Sequence, residues 1–165
     1  MILRQLNRLL GRPTASLIDT YGVFEGYASV FGLVDLGLDV VMPGAFSHSL
    51  SRRSASEIRL LWQHDPQLPI GRWLTVFEDQ YGLFVRGQLD LDLKQGSALH
   101  KCILGGSIDG LSIGYRTEAS RREADTGRRL IDRLDLWEVS IVAFPLLPQA
   151  RIGPRVLNDG GRVPA

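Results

Sequence analysis

With 165 residues, 44% of them hydrophobic, the chain can bury one sizeable core and has little left for a second. Nineteen Lys and Arg against eighteen Asp and Glu leave a formal net charge of +1, so no global field draws it to nucleic acid or to an anionic membrane. A single cysteine, Cys102, excludes an internal disulfide framework and a cysteine-rich zinc site, and no apolar run approaches the ~20 residues of a spanning helix.

At the N-terminus, Ile2, Leu3, Leu6, Leu9 and Leu10 share one helical side and arginines the other, so residues 1–20 read as a short basic amphipathic arm. Arg4, Arg8 and Arg12 break any secretory h-region and no small-residue cleavage site follows, so the chain is expected to be soluble and unexported. Val23 to Phe31 favours extended structure, Gly32 to Asp39 punctuates it as a loop, and Ala45 to Arg53 suits about two helical turns. Three strands are expected next, at Glu57–Gln63, Ile70–Glu78 and Gly82–Asp90, with turns at Asp65-Pro66 and Asp79–Gly82. Such a succession predicts an antiparallel meander. A helix from Leu93 to Leu104 stops at Gly105-Gly106, two more strands cover Ile108–Thr117 and Leu130–Phe144 across a polar loop, and residues 151–165 read as a mobile tail. The domain proper is then 21–150. Its fold class is β-rich α+β, a closed or half-closed antiparallel β-barrel flanked by one or two helices.

Of the three histidines, His64 ends an apolar strand beside a turn, whereas His48 and His100 sit in helical patterns and are expected at the surface. Their spacing matches no zinc motif, so no metal site is expected. In Gly110-Leu111-Ser112-Ile113-Gly114-Tyr115, strand alternation puts Ser112 between two glycines on one face. That gap admits a close substrate backbone or, equally, a packed neighbour. Ser107, just after a helix stop, is accounted for as a cap or turn residue. Glu138 interrupts Leu136-Trp137-Glu138-Val139-Ser140-Ile141-Val142, where alternation sets Glu138 and Ser140 on one face and Trp137, Val139 and Ile141 on the core face; a solvated face explains the carboxylate as well as a partner does. A hydroxyl, a base and an acid together are the inventory of nucleophilic hydrolysis.

The blocks Phe31-Gly32-Leu33-Val34-Asp35, Val41-Met42-Pro43-Gly44-Ala45-Phe46, Leu61-Trp62-Gln63-His64-Asp65, Pro69-Ile70-Gly71-Arg72, Gly110 to Tyr115 and Trp137 to Pro145 occur in that order. In this they resemble the prohead proteases of tailed bacteriophages, over about residues 22–150. The resemblance implies a barrel related to the herpesvirus assembly proteases, with His64 and Ser112 as catalytic base and nucleophile and Glu138 in the third place, where herpesvirus relatives use a second histidine. It departs from the pattern at Ser107, where family members often carry an acidic residue, and in its short tail.

What the resemblance implies is a serine endopeptidase that needs no cofactor. Its substrates would be the scaffold or N-terminal segment of the major capsid protein and the protease itself. It would act inside the assembling procapsid in the bacterial host cytoplasm, with self-association among its contacts and no nucleic-acid or membrane partner. A non-enzymatic capsid assembly factor of the same fold is the alternative, and a small β-barrel binding module a second. Arg116, Arg121 and Arg122 are candidates to stabilise the oxyanion by nearness in sequence alone.

Overall fold

The computed structural model describes residues 16–155. The amphipathic pattern at residues 2–12 and the end of the expected tail, from residue 156, lie outside the described residues. Eight strands form one sheet: β1 (Val23–Val30), β2 (Asp39–Val41), β3 (Arg59–Trp62), β4 (Asp65–Glu78), β5 (Gly82–Leu89), β6 (Gly110–Arg122), β7 (Arg129–Val142) and β8 (Arg151–Ile152). They are ordered β2-β7-β3-β4-β5-β1-β8-β6, and a further pairing of β6 with β7 closes the ring. β2 lies outside that ring on the N-terminal half of one β7 edge, and β3 takes the C-terminal half of the same edge. Two helices, α1 (Ser47–Arg52) and α2 (Lys94–Leu104), flank the barrel.

The expected barrel and the β3-β4-β5 antiparallel meander are present. Several boundaries differ for physical reasons. The β2–β7 and β3–β7 pairs are parallel, a relation between strands far apart in sequence that no local pattern encodes. β6 runs on to Arg122 where a loop from Thr117 was expected, because cross-strand ion pairs such as Arg121–Asp132 (3.1 Å) and Arg133–Glu118 (3.3 Å) let its charged residues stay in the ladder. The sheet also runs past residue 150, where the tail was expected to begin. β8 bridges β1 and β6, Ile152 is buried, and its N–H donates to the Asp109 carbonyl at 2.7 Å.

Inside the ring, Leu60, Ile70, Trp73, Leu83, Leu111, Leu134, Leu136, Val139 and Ile141 are buried together, with the Phe24 ring edge-on to Trp73 at 5.6 Å. α1 is seated by Glu78, whose carboxylate accepts the N–H of the N-cap residue Phe46 and the Ser47 hydroxyl, each at 2.8 Å, at the positive end of the helix. Behind it Asp135 is buried and takes bonds from the Trp137 indole (2.7 Å) and Arg53 (2.9 Å), which together hold its carboxyl below the usual range against the raising effect of burial. No helix among the described residues is long and apolar enough to cross a membrane.

Candidate active site

His64 lies within a turn, not before one. Trp62 pairs with Asp65, so Gln63 and His64 form a two-residue hairpin loop, and both have positive φ (54° and 60°). Positive φ at both loop positions is the type I′ geometry that matches strand twist, normally built with Asn and Gly. The turn expected at Asp65-Pro66 is therefore displaced to Gln63-His64. The two left-handed residues are held by the Gln63 N–H on the Ile141 carbonyl (3.0 Å), the His64 N–H on the Ser140 hydroxyl (3.0 Å), and the Gln63 side-chain oxygen on the Ala143 N–H (3.1 Å). Turn and strand β7 are thus one unit.

Glu138 is aimed by a bulge. Gly114 pairs with Glu138 but Tyr115 pairs with Leu136, so Trp137 is the extra residue on β7. This corrects the expected alternation, because Trp137 turns outward, 52% exposed, while Leu136, Val139 and Ile141 go to the core. The carboxylate is set against β6 where Gly114 leaves room: a Cβ there would stand 1.9 Å from Glu138 Oε1. At Gly110 a Cβ would meet the Val142 carbonyl at 2.6 Å and the Pro145 ring at 2.9 Å. The two glycines beside Ser112 therefore make space for neighbouring strand groups, not for a substrate backbone.

Ser112, His64 and Glu138 come together in one line. The Ser112 hydroxyl lies 2.9 Å from His64 Nε2, and His64 Nδ1 is hydrogen-bonded to Glu138 Oε1. Glu138 Oε2 accepts the Ser140 hydroxyl at 2.7 Å. Ser140, fully buried, thereby holds both the carboxylate and the backbone of the histidine, a role sequence reasoning did not assign although it placed Ser140 on the Glu138 face. The hydrogen bond to Glu138 raises the His64 pKa against the lowering effect of burial. With Nδ1–H donating to the carboxylate, Nε2 is left to accept the Ser112 proton.

The other sequence candidates stand apart. The Ser107 hydroxyl donates to the Cys102 carbonyl at 3.1 Å, a helix-end bond. His48 is exposed, but His100 departs from expectation: it is half-buried and its Nε2 donates to the Asp19 carbonyl at 2.7 Å, fastening α2 to the segment before β1. Arg116 and Arg121 face Glu118 and Asp132, and Arg122 faces the Gly127 carbonyl, all on the exposed β6–β7 hairpin. Among the described residues no three His, Cys, Asp or Glu side chains gather as a metal site.

The barrel is similar in fold to solved viral proteases. The bacteriophage T4 capsid assembly protease superposes with a TM-score of 0.62 at 13% identity, over 73% of this chain and 80% of that one. KSHV protease in complex with a hexapeptide phosphonate inhibitor gives 0.54 at 17% identity, over 79% and 63%. At such identities the likeness is one of fold. The chain belongs to the caudovirus prohead serine protease family, whose model matches residues 13–159. It is 34% identical over 141 residues to the prohead protease of Enterobacteria phage HK97, covering 84% of this chain and 62% of that protein. To the prohead protease of Escherichia phage T5 it is 27% identical over 123 residues, covering 73% and 57%. The chain thus spans less than two thirds of the length of either relative.

Proposed function

We propose that the chain is a serine endopeptidase of procapsid maturation in which Ser112 is the nucleophile, His64 the general base and Glu138 the group that orients the histidine. The observation that carries this reading is the continuous hydrogen-bonded line Ser112–His64–Glu138, with nucleophile–base reach of 2.9 Å. As Ser112 Oγ bonds to the substrate carbonyl carbon, its proton passes to His64 Nε2. The imidazolium so formed is stabilised by the Glu138 carboxylate and returns the proton to the leaving amine as the C–N bond breaks. Water then attacks the acyl-serine by the same route and frees the carboxylic acid. The relay calls on no metal or organic cofactor.

Family membership and the names of the relatives support the capsid protein as substrate: the scaffold or N-terminal segment of the major capsid protein, with the protease's own chain as a second target. Cleavage would take place inside the assembling procapsid in the host cytoplasm. Ser112→Ala should abolish cleavage of the capsid protein, by at least about a thousandfold. The melting temperature should stay within about 2 °C, since one hydroxyl at the barrel surface contributes little packing. Ser107→Ala should cleave normally. Full activity of Ser112→Ala would remove Ser112 as the nucleophile, loss in Ser107→Ala alone would move the nucleophile there, and no cleavage by the parent chain would return it to the alternative of a non-enzymatic assembly factor.

A further inference from the structure

Beside Ser112 the barrel wall is open. β8 is short and joins β1 at Gly26 and Tyr27 and β6 at Gly110 alone, so past these residues β1 and β6 face one another without a ladder. The Leu111 N–H is directed to this side, onto the Ala150 carbonyl, so by strand alternation the backbone of Ile113 faces the opening next to Ser112. A recess enters there. Ser112 is one of its lining residues, and most of the others are aliphatic, Val30, Leu33, Val41, Ile113, Leu146 and Leu147 among them.

The charged groups lining it are Asp35 and Asp39, and both are already engaged. Asp39 accepts the Arg129 guanidinium at 2.8 and 2.5 Å and the Tyr115 hydroxyl at 3.1 Å, while Asp35 Oδ1 accepts the N–H groups of Gly37 (2.8 Å) and Asp39 (2.9 Å). A cationic side chain entering the recess would lose its hydration among aliphatic walls, and the Asp39 carboxylate there already faces a guanidinium. An anionic one would add a like charge.

We propose that this recess receives an aliphatic side chain of the substrate, that of the residue whose carbonyl Ser112 attacks. The proposal rests on Ser112 being the nucleophile. That residue's Cβ is fixed one bond from the carbon next to the attacked carbonyl, so its side chain must be accommodated immediately beside Ser112, where the aliphatic walls stand. Discrimination by such a pocket runs at about tenfold or more per methylene gained or lost. Valine or leucine should therefore exceed lysine, aspartate or glycine by about a hundredfold or more in kcat/KM.

The test incubates the full chain with a library of peptides from digested bacterial protein, reads the residue before each cut by mass spectrometry, and in parallel labels Ser112 with a fluorophosphonate. Labelling together with cuts after aliphatic residues is the expected result. Labelling with any other profile overturns the recess as the specificity pocket and leaves the nucleophile standing. Absence of both labelling and cleavage overturns the nucleophile itself. Leu146, half-exposed at the recess, supplies the second arm: Leu146→Glu should shift acceptance towards lysine by at least tenfold, and an unchanged profile would remove Leu146 and the recess from substrate selection.

Discussion

At the scale of single residues, the His64–Glu138 contact ties activity and stability to pH in opposite senses. The hydrogen bond and charge of Glu138 raise the histidine pKa above its ordinary 6.5. The proposed base works only when neutral, so kcat/KM should climb with pH through a midpoint above 6.5. The stabilising contribution of the pair has the reverse dependence: it is present in full below the unfolded-state pKa and is lost as pH rises through the higher folded-state value. Glu138→Gln should move the activity midpoint downward and lower the rate by at least about a hundredfold, while leaving thermal stability nearly unchanged at pH 8. A rate within a few-fold of the parent would reduce the site to a Ser–His dyad. All three proposed residues were singled out in the sequence, from a strand end, a strand between glycines and an interrupted apolar run, and the structure brings them within hydrogen-bond reach of one another. The double bond of Ser140 was not, because it depends on which β7 residue lies beside the turn at His64.

Two irregularities at the scale of elements aim these side chains, a type I′ turn made of Gln63 and His64 and a bulge at Trp137. Each left-handed residue costs about 1–2 kcal/mol, offset by the turn's bonds to β7. Neither feature follows regular alternation, which is why sequence reading put the turn two residues late and Trp137 in the core. Strand existence and the meander were legible because period-2 patterns report burial face; bulges interrupt that period and hide their own position. Gly114 makes the dependence measurable. With a Cβ 1.9 Å from Glu138 Oε1, Gly114→Ala must displace the carboxylate, and a displacement of about 1 Å is enough for a hundredfold loss of kcat. Wild-type-like cleavage by Gly114→Ala would mean that Glu138 does not act from the position beside β6.

For the molecule as a whole, closure rests on two residues near the described C-terminal end. β8 carries the bond of Ile152 N–H to the Asp109 carbonyl, Gly153 just after it donates to the Glu25 carbonyl (2.8 Å), and Arg155 follows with its guanidinium over the Phe77 ring at 4.8 Å. Composition rich in Gly, Pro and Arg disguised this strand as tail, since a two-residue strand has no period to read. A chain ending at Ala150 should melt well below one ending at Arg155, and Ile152→Ala, at a site 1% exposed, should lose about 2–5 kcal/mol of unfolding free energy. Equal melting temperatures would show that the ring does not depend on β8.

The contacts that make up the site span 48 residues from His64 to Ser112 and 74 from His64 to Glu138. Pairings so distant along the chain form late, after long loops have been closed. During synthesis, His64 and Ser112 emerge well before the strand that holds Glu138 and before β8, so no nascent or clipped fragment carries the relay in working order. The ring is in this respect a delay: under the proposed function, the relay stays unassembled until the strand that carries Glu138 is in place. On refolding from urea, recovery of cleavage should never run ahead of the return of native tryptophan fluorescence, in which the buried Trp73 reports the closed core. An active phase preceding it would show a site that forms without the barrel.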